Sequence, residues 1–410
     1  MDILYTCCAG LGVHKDSVYA CVRRLGPGGV ARELVKVFGT MTPDLLALGD
    51  WLAAEGVTHV AMESTGVYWK PVYYLLEGRF TLLLANAQQL KRVPGRKTDV
   101  QDCAWIAKLL QHGLIAPSFV PPEPQRDLRE LTRQRVQLAR QKATLSNRIQ
   151  KVLEDANLKL GSVASDVLGK SGRAMLSALI RGETDPNALA ELALGRLRKQ
   201  LPRLRPALTG RVTEHHRFLL RLLLDEVEAV EGFLARLEER IGAVLGPFAA
   251  AVEALTTIPG VDRRTAEAVL AEIGLDMSRF PSEGHLASWG AMCPGNDESA
   301  GKRRSGRTPK GNPWLKRALV QAAWAASHTK GTYLAAYYRR LAARRGRKRA
   351  LVALGHALLG IIYHMMRHRT LYADLGGDYF ERRDRDALTR RLVNRLKRLG
   401  LKVTLEPHVA

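Results

Sequence analysis

Ser299 stands beside Gly301 and just ahead of a cluster of basic residues, and an apolar helical segment follows. Glycine lets a ligand approach the backbone closely, and guanidinium and ammonium groups neutralise phosphate oxygens. A hydroxyl group held among them could attack phosphorus. A basic loop exposed to solvent would have the same composition, so the segment alone leaves both interpretations open. The basic residues predicted to bind nucleic acid here are Lys302, Arg303, Arg304, Arg307 and Lys310.

Three carboxylates form a second candidate site. Glu63 follows an apolar strand predicted at residues 57–62, at a strand tip where open α/β sheets place ligands. Asp99 and Asp102 are three residues apart at the start of a predicted helix, so they share one face. Converging carboxylates repel one another unless a cation separates them, and oxygen ligands suit Mg²⁺, which can activate an oxygen nucleophile. We therefore predict a magnesium site at Glu63, Asp99 and Asp102.

A purely structural role for the same carboxylates remains open. Asp99 could cap the N-terminus of the helix. Asp102 could be a first-turn charge that the helix dipole favours. Glu63 taken alone is the weakest indication of the three.

Strands and helices alternate in the first third of the chain. We predict strands at residues 4–8, 17–22 and 34–38, with residues 10–16 joining the first two, and further strands at 57–62 and 81–84. Amphipathic helical segments lie between and after the later strands. This alternation indicates an α/β domain with a central sheet over residues 1–120.

Two long helices are predicted in the middle of the chain, after a proline-rich linker at residues 117–124. Apolar residues recur every seven positions from Leu131 to Val152, and at alternating spacings of three and four from Leu220 to Val244. The pattern favours an antiparallel coiled-coil hairpin with a compact tip over residues 126–247. Its apolar face could pack within the chain or against another subunit. Several basic residues of the first helix could contact nucleic acid or simply be solvated: Arg133, Arg135, Arg140, Lys142 and Arg148.

Residues 248–410 are predicted to form a mainly α-helical domain. Residues 255–266, with Gly260 in a tight turn, resemble a helix-hairpin-helix element, whose turn offers backbone N–H groups to a phosphate. An ordinary corner between two helices is the alternative. We therefore predict Gly260 as a nucleic-acid-binding position.

The charge of the chain is strongly positive. Lys and Arg outnumber Asp and Glu by 63 to 40, giving +23 and a pI near 10.1. Such a surface binds polyanions in a salt-dependent way. The longest apolar run, residues 357–366, is shorter than the ~20 residues of a membrane-spanning helix, so no membrane partner is expected. Five cysteines without a C-x-x-C pair indicate reduced thiols in a cytoplasm.

Four motifs occur in the order typical of one protein family. Residues 10–16 (GLGVHKD), 62–69 (MESTGVYW), 97–102 (KTDVQD) and the serine segment resemble the insertion-sequence-110 family of transposases. The N-terminal domain of that family is similar to Holliday-junction resolvases of the ribonuclease-H-like fold. The resemblance covers both ends of the chain and most of its length.

The resemblance implies a DNA transposase or recombinase that cuts and rejoins DNA. Ser299, rather than Ser305, matches the family's nucleophile, and Glu63, Asp99 and Asp102 match its metal ligands. Implied partners are DNA, a structured guide RNA and further copies of the chain in a dimer or tetramer. The implied location is the nucleoid of a prokaryotic cytoplasm.

One position departs from the family's pattern. The family places its first metal ligand, an Asp, on the first strand, where this sequence has Gly12. Asp16 is a poor substitute, because four extended residues displace it by roughly 13 Å. Either three carboxylates suffice or this copy is impaired. A site-specific DNA invertase of the same type and a catalytically impaired nucleic-acid-binding protein are therefore the alternative functions.

Overall fold

The computed structural model describes residues 3–26, 29–64, 66–86, 99–295, 297–309 and 311–405, and for residues 297–299 and 303–305 it describes the backbone. The chain divides into two compact units, Met1–Pro121 and Pro122–Ala410. The first is a mixed sheet with helices and the second is helical apart from one hairpin. The predicted α/β class of the N-terminal part and helical class of the C-terminal part are confirmed.

A six-stranded sheet with the order β3-β2-β1-β4-β5-β6 forms the centre of the first unit. The first three strands are an antiparallel meander, β4 and β5 run parallel to β1, and β6 is antiparallel. The strands are β1 (Cys7–Val13), β2 (Val18–Leu25), β3 (Ala31–Phe38), β4 (His59–Glu63), β5 (Thr81–Ala85) and β6 (Pro117–Ser118). The helices are α1 (Thr42–Ala54), α2 (Trp69–Leu76) and α3 (Asp99–Gln111).

The predicted position of the first strand is wrong. The prediction placed it at residues 4–8 and treated Gly10 and Gly12 as part of a connection, whereas both glycines lie inside β1. Glycine lowers strand propensity, but it also allows another backbone to approach closely. A Cβ atom on Gly10 would lie well inside 3.0 Å of the backbone of Cys103 and Ala107. Helix α3 therefore packs directly on the strand at Gly10.

Gly10→Ala is expected to destabilise the protein by about 1–3 kcal/mol, because the added methyl group overpacks the contact between β1 and α3. Gly12→Ala is the matched control on the same strand. A Cβ there has its nearest neighbour, the Asp99 carbonyl oxygen, at 3.7 Å. The free energies of unfolding in urea measure both effects, and equal stability of the two variants would contradict this account of Gly10.

Two long antiparallel helices, α4 (Glu123–Asp155) and α9 (Glu214–Val244), run side by side through the second unit. Contacts along their length show the direction: Arg135 forms an ion pair with Glu238 at 3.1 Å and Lys142 with Glu231 at 2.8 Å, and His216 Nε2 lies 2.9 Å from Asp155 Oδ2. The short helices between them pack with the ends of both in one apolar core. These are α5 (Leu160–Val163), α6 (Lys170–Ile180), α7 (Pro186–Glu191) and α8 (Leu201–Ala207), with a 3₁₀ turn at Leu197–Gln200.

The remaining helices follow the long pair in the chain, and all but the last two contribute side chains to a second apolar core. They are α10 (Ala249–Thr256), α11 (Arg263–Ile273), α12 (Glu283–Trp289), α13 (Pro313–His328), α14 (Tyr333–Arg345), α15 (Arg347–His368), α16 (Tyr379–Arg383) and α17 (Arg385–Arg398). Gly246–Phe248 and Met277–Arg279 are 3₁₀ turns, and the hairpin strands are β7 (Asp297–Ser299) and β8 (Lys302–Ser305).

Helix α15 is longer than the apolar run that the sequence pattern suggests. Among the described residues it is the one helix whose length and composition would allow it to cross a membrane. Leu354, Leu358 and Ile362 on its inner face are fully buried in the core of the second unit. Burial in that core accounts for its apolar character.

Candidate serine and carboxylate sites

Ser299 is the last residue before the turn of a β-hairpin. It pairs with Lys302 across the two strands, and Asp297 pairs with Ser305. The two residues between them, Ala300 and Gly301, have φ angles of 51° and 71°. Positive φ at both central residues is what the type I′ hairpin turn requires. The segment is thus an ordered hairpin, where the sequence suggested a loop.

The base of this hairpin is joined to the helix that follows it. The Gly295 amide donates to the Arg307 carbonyl at 3.0 Å, which brings the two ends of the hairpin together. The Asn312 Oδ1 accepts hydrogen bonds from the amides of Trp314 and Leu315 at 3.0 and 3.2 Å, so Asn312 caps α13. Pro313 occupies the first helical turn, a position it favours.

The structure describes the side chains of only some of the predicted nucleic-acid-binding residues of the hairpin. Lys302 and Arg307 are exposed. The side chains of Ser299, Arg303 and Arg304, and the whole of Lys310, lie outside the described residues. Their roles remain predictions.

A buried carboxylate that the sequence analysis missed lies behind the hairpin. Glu272 on α11 is 1% exposed. Its Oε1 accepts from Arg133 Nε at 2.7 Å, and its Oε2 accepts from Arg133 Nη2 at 2.8 Å and from Asn312 Nδ2 at 2.6 Å. An acidic residue within the apolar run Ala266–Ile273 was the available signal, because a buried charge requires partners.

The interpretation of Arg135 as a solvated or nucleic-acid-contacting residue is wrong, and Arg133 is paired rather than simply solvated. Arg133 binds Glu272, and Arg135 is 6% exposed. Arg135 pairs with Glu267 at 2.6 Å and with Glu238 at 3.1 Å. Removing one partner of such a buried pair leaves an uncompensated charge. Both arginines therefore serve the packing of α4 on α11.

Two other arginines form a positive cluster near the start of α13. The guanidinium carbon of Arg140 lies 5.3 Å from the centre of the Trp314 ring. Partial burial, together with the charge of Arg140, lowers the pKa of Arg317. Arg140 is one of the basic residues that the sequence pattern indicates, whereas Arg317 has no such signal. Arg317 is three residues from Trp314 and so lies on the same side of the helix.

Gly260 has a structural reason to be glycine. Its φ is 86°, and a Cβ there would lie 2.6 Å from the Ala322 carbonyl oxygen on α13. The following helix, α11, is capped by Asp262, which accepts from the Thr265 amide at 2.8 Å. Burial works against the charge of Asp262, but the hydrogen bonds from Thr265 outweigh it and lower the pKa of this carboxyl. An anion thus already occupies the helix N-terminus, and nucleic-acid binding by Gly260 remains a prediction.

Glu63 and the first turn of α3, which carries Asp99 and Asp102, lie next to Gly12 of β1. Strands β1 and β4 are parallel with Leu11 opposite Met62, so Gly12 and Glu63 are the next residues along neighbouring strands. A Cβ on Gly12 would lie 3.7 Å from the carbonyl oxygen of Asp99, the first residue of α3. Gly12 therefore faces the helical turn that carries Asp99 and Asp102.

The side chains at this edge do not fit a metal ion as they stand. Glu63, Asp99 and Asp102 are all described, yet within the described ranges no three His, Cys, Asp or Glu side chains are grouped to hold a metal. Asp99 instead lies 3.4 Å from His14 Nε2. Gly12 is the position on this edge at which a further carboxylate would enter.

Two family models match separate parts of the chain. The model for DEDD transposases of IS110 elements, described as "Transposase", matches residues 9–158. The model described as "Transposase IS116/IS110/IS902 family" matches residues 252–339. The first match includes the carboxylate edge, and the second includes the serine hairpin and Glu272.

Two similar proteins carry related names. An "Insertion element IS110 uncharacterized 43.6 kDa protein" of Streptomyces coelicolor is 30% identical over 151 residues, which are 37% of this chain and 37% of that protein. A "Probable family 20 transposase" of Pseudomonas aeruginosa is 27% identical over 323 residues, 76% of this chain and 85% of that protein. With both family models matching in order, the chain belongs to the IS110 family of insertion-sequence transposases.

Proposed function

We propose that this transposase cuts and rejoins DNA through a covalent bond to Ser299. The observation that carries the proposal is the position of Ser299, immediately before a tight hairpin turn with the exposed Lys302 beside it. A hydroxyl at such a tip can reach a phosphate that basic side chains hold. Lys302, Arg303 and Arg307 would hold that phosphate through charge-assisted hydrogen bonds, with Arg304 and Lys310 adding to the local positive charge.

The proposed strand cleavage is an exchange of phosphodiester bonds that needs no external energy source. Ser299 Oγ forms a bond to phosphorus as its proton leaves, and the bond from phosphorus to the departing deoxyribose oxygen breaks. That oxygen takes up a proton and becomes a free hydroxyl on the DNA. One phosphodiester replaces another, so a DNA hydroxyl can reverse the reaction and rejoin strands without ATP. The dipole of α13, whose N-terminus follows the hairpin, favours the phosphate charge.

The carboxylate edge is proposed as a second functional region. Membership of the DEDD transposase family suggests the use of a divalent metal ion, and we propose Mg²⁺ with Glu63, Asp99 and Asp102 as donors. Because those side chains are not grouped as a metal site, no step of the reaction is assigned to the ion. The mixed sheet of this unit supports a ribonuclease-H-like fold.

DNA is the partner that the transposase family implies, and the charge of +23 supports binding to a polyanion. A structured guide RNA, assembly into a dimer or tetramer, and association with the nucleoid are proposed on the family resemblance. The alternative function is a catalytically impaired protein that binds element ends. Gly12 is the observation that favours it.

The deciding experiment is a denaturing gel of the protein incubated with labelled element-end DNA, with and without Mg²⁺. We expect a labelled band that survives detergent and disappears after protease treatment. Salt-sensitive DNA binding without any such band would contradict the serine mechanism and support the impaired protein.

A further inference from the structure

The buried carboxylate of Glu272 connects the pair of long helices with the serine hairpin. On one side it receives two hydrogen bonds from Arg133 of α4, and Arg129 Nε lies 3.3 Å from Oε2. On the other side it accepts a hydrogen bond from the side-chain amide of Asn312. Asn312 is the residue that caps α13 at the end of the hairpin segment. All of these contacts lie within the second unit.

Helix α4 holds the end of α11 that carries Glu272. Arg129 Nε and Gln125 Nε2 donate to the Ala271 carbonyl at 3.0 and 3.1 Å, and Arg129 Nη2 donates to the Glu272 carbonyl at 2.7 Å. Arginine side chains often satisfy the last carbonyls of a helix in this way. The position of the Glu272 carboxylate is therefore set by α4 as well as by its own helix.

The side-chain amide of Asn312 makes hydrogen bonds through both its oxygen and its nitrogen. The oxygen accepts from the first amides of α13, and the nitrogen donates to Glu272, so neither can turn without losing its partner. Lys316 of α13 donates a hydrogen bond to the Thr308 hydroxyl, and the Gly295 amide donates one to the Arg307 carbonyl. An isolated two-stranded hairpin is marginally stable, so bonds at its base contribute to holding it in place.

We propose that Arg133, Glu272 and Asn312 are positioning residues that hold the serine hairpin in place relative to α4. The inference rests on the proposed function only for its consequence in strand cleavage. Its structural part, the anchoring of residues 297–309, stands independently of that chemistry.

The test exchanges the two ends of the Asn312–Glu272 hydrogen bond. Asn312→Asp keeps a good helix cap but sets two carboxylates against each other. In the double variant with Glu272→Gln, the new amide can donate to the new carboxylate, and the net charge of the cluster is restored. Glu272→Gln alone is also made, because it measures the cost of removing the carboxylate that pairs with Arg133. Asn312→Ser also keeps the cap and removes the bond without repulsion. Thermal melting identifies any variant that fails to fold, in which case the serine variant replaces the aspartate variant in the comparison.

Two measurements are compared across the wild type and these variants. For Asn312→Asp we expect hydrogen exchange of the amides in residues 297–309 to accelerate by about tenfold or more, as for loss of a charged buried hydrogen bond. We expect adduct formation at saturating DNA to slow by a similar factor, while the Kd for DNA stays within about twofold. The double variant should be less impaired in both measurements than the sum of its two single variants predicts.

Two results would overturn the proposal: unchanged exchange in Asn312→Asp, or a double variant no better than the sum of the single variants. The exchange measurement also separates this proposal from the proposed function. If the wild type forms no adduct but the exchange pattern follows the expectation, the serine chemistry fails and the anchoring stands.

Discussion

Ser299→Ala is expected to abolish the covalent protein–DNA adduct and to lower strand cleavage by about 10⁴-fold or more, the scale seen when a nucleophile is removed. The hairpin turn depends on the backbone of Ala300 and Gly301, and alanine fits a strand position, so the fold should be retained. DNA affinity should change little, because the basic residues remain. The measurements are adduct yield on a denaturing gel and binding by gel shift.

Ser305→Ala is the natural comparison, because Ser305 lies in the same hairpin opposite Asp297. We expect it to keep adduct formation within about tenfold of the wild type, as expected for loss of one neutral hydrogen bond. If Ser305→Ala abolished the adduct while Ser299→Ala preserved it, the nucleophile would be Ser305.

Gly12→Asp is expected to strengthen metal binding at the carboxylate edge, where the described side chains of the wild type are not grouped to hold an ion. The backbone has room for a Cβ, with ordinary contacts of 3.7–3.9 Å to Asp99, Tyr19 and Cys103. The new carboxylate would stand beside Glu63 and face the first turn of α3. Without a cation the added negative charge is repelled, so the variant should be less stable than the wild type in the absence of metal.

Added Mg²⁺ or Mn²⁺ should then raise the melting temperature of Gly12→Asp by several degrees, because a ligand that binds the folded state stabilises it. Calorimetric titration should show a corresponding gain in metal affinity, and the adduct yield should rise. Gly12→Asn matches the shape of the new side chain without its charge. Equal metal responses of the aspartate and asparagine variants would contradict the assignment of this edge.

The features that could be predicted from the sequence are those whose signal comes from residues close together in the chain. The heptad spacing from Leu220 to Val244 marks one face of α9, and Asp99 begins α3 as its position before an apolar helix indicated. The candidate serine was found because its glycine and basic neighbours are adjacent in sequence. These signals need no knowledge of distant residues.

The features that the sequence did not reveal depend on residues far apart in the chain. Gly10 looks like a break in a strand until α3, more than 90 residues later, packs on it. Arg135 looks like a solvated charge until Glu267 is placed beside it. Asn312 and Glu272 are 40 residues apart, and only the fold brings their side chains within hydrogen-bonding distance. A local pattern can show which residues are charged, whereas only the tertiary structure shows which charges are compensated.

The long antiparallel pair is connected to the serine hairpin segment near one of its ends, through Arg133, Glu272 and Asn312. Arg133 lies near the start of α4, and the 22 residues from there to Asp155 span about 33 Å at 1.5 Å per residue. A tilt of about 10° at the Glu272 junction would carry the far end through about 6 Å by the same helical geometry. Such a displacement at the tip would therefore be accompanied by a change at the contacts that join Arg133, Glu272 and Asn312.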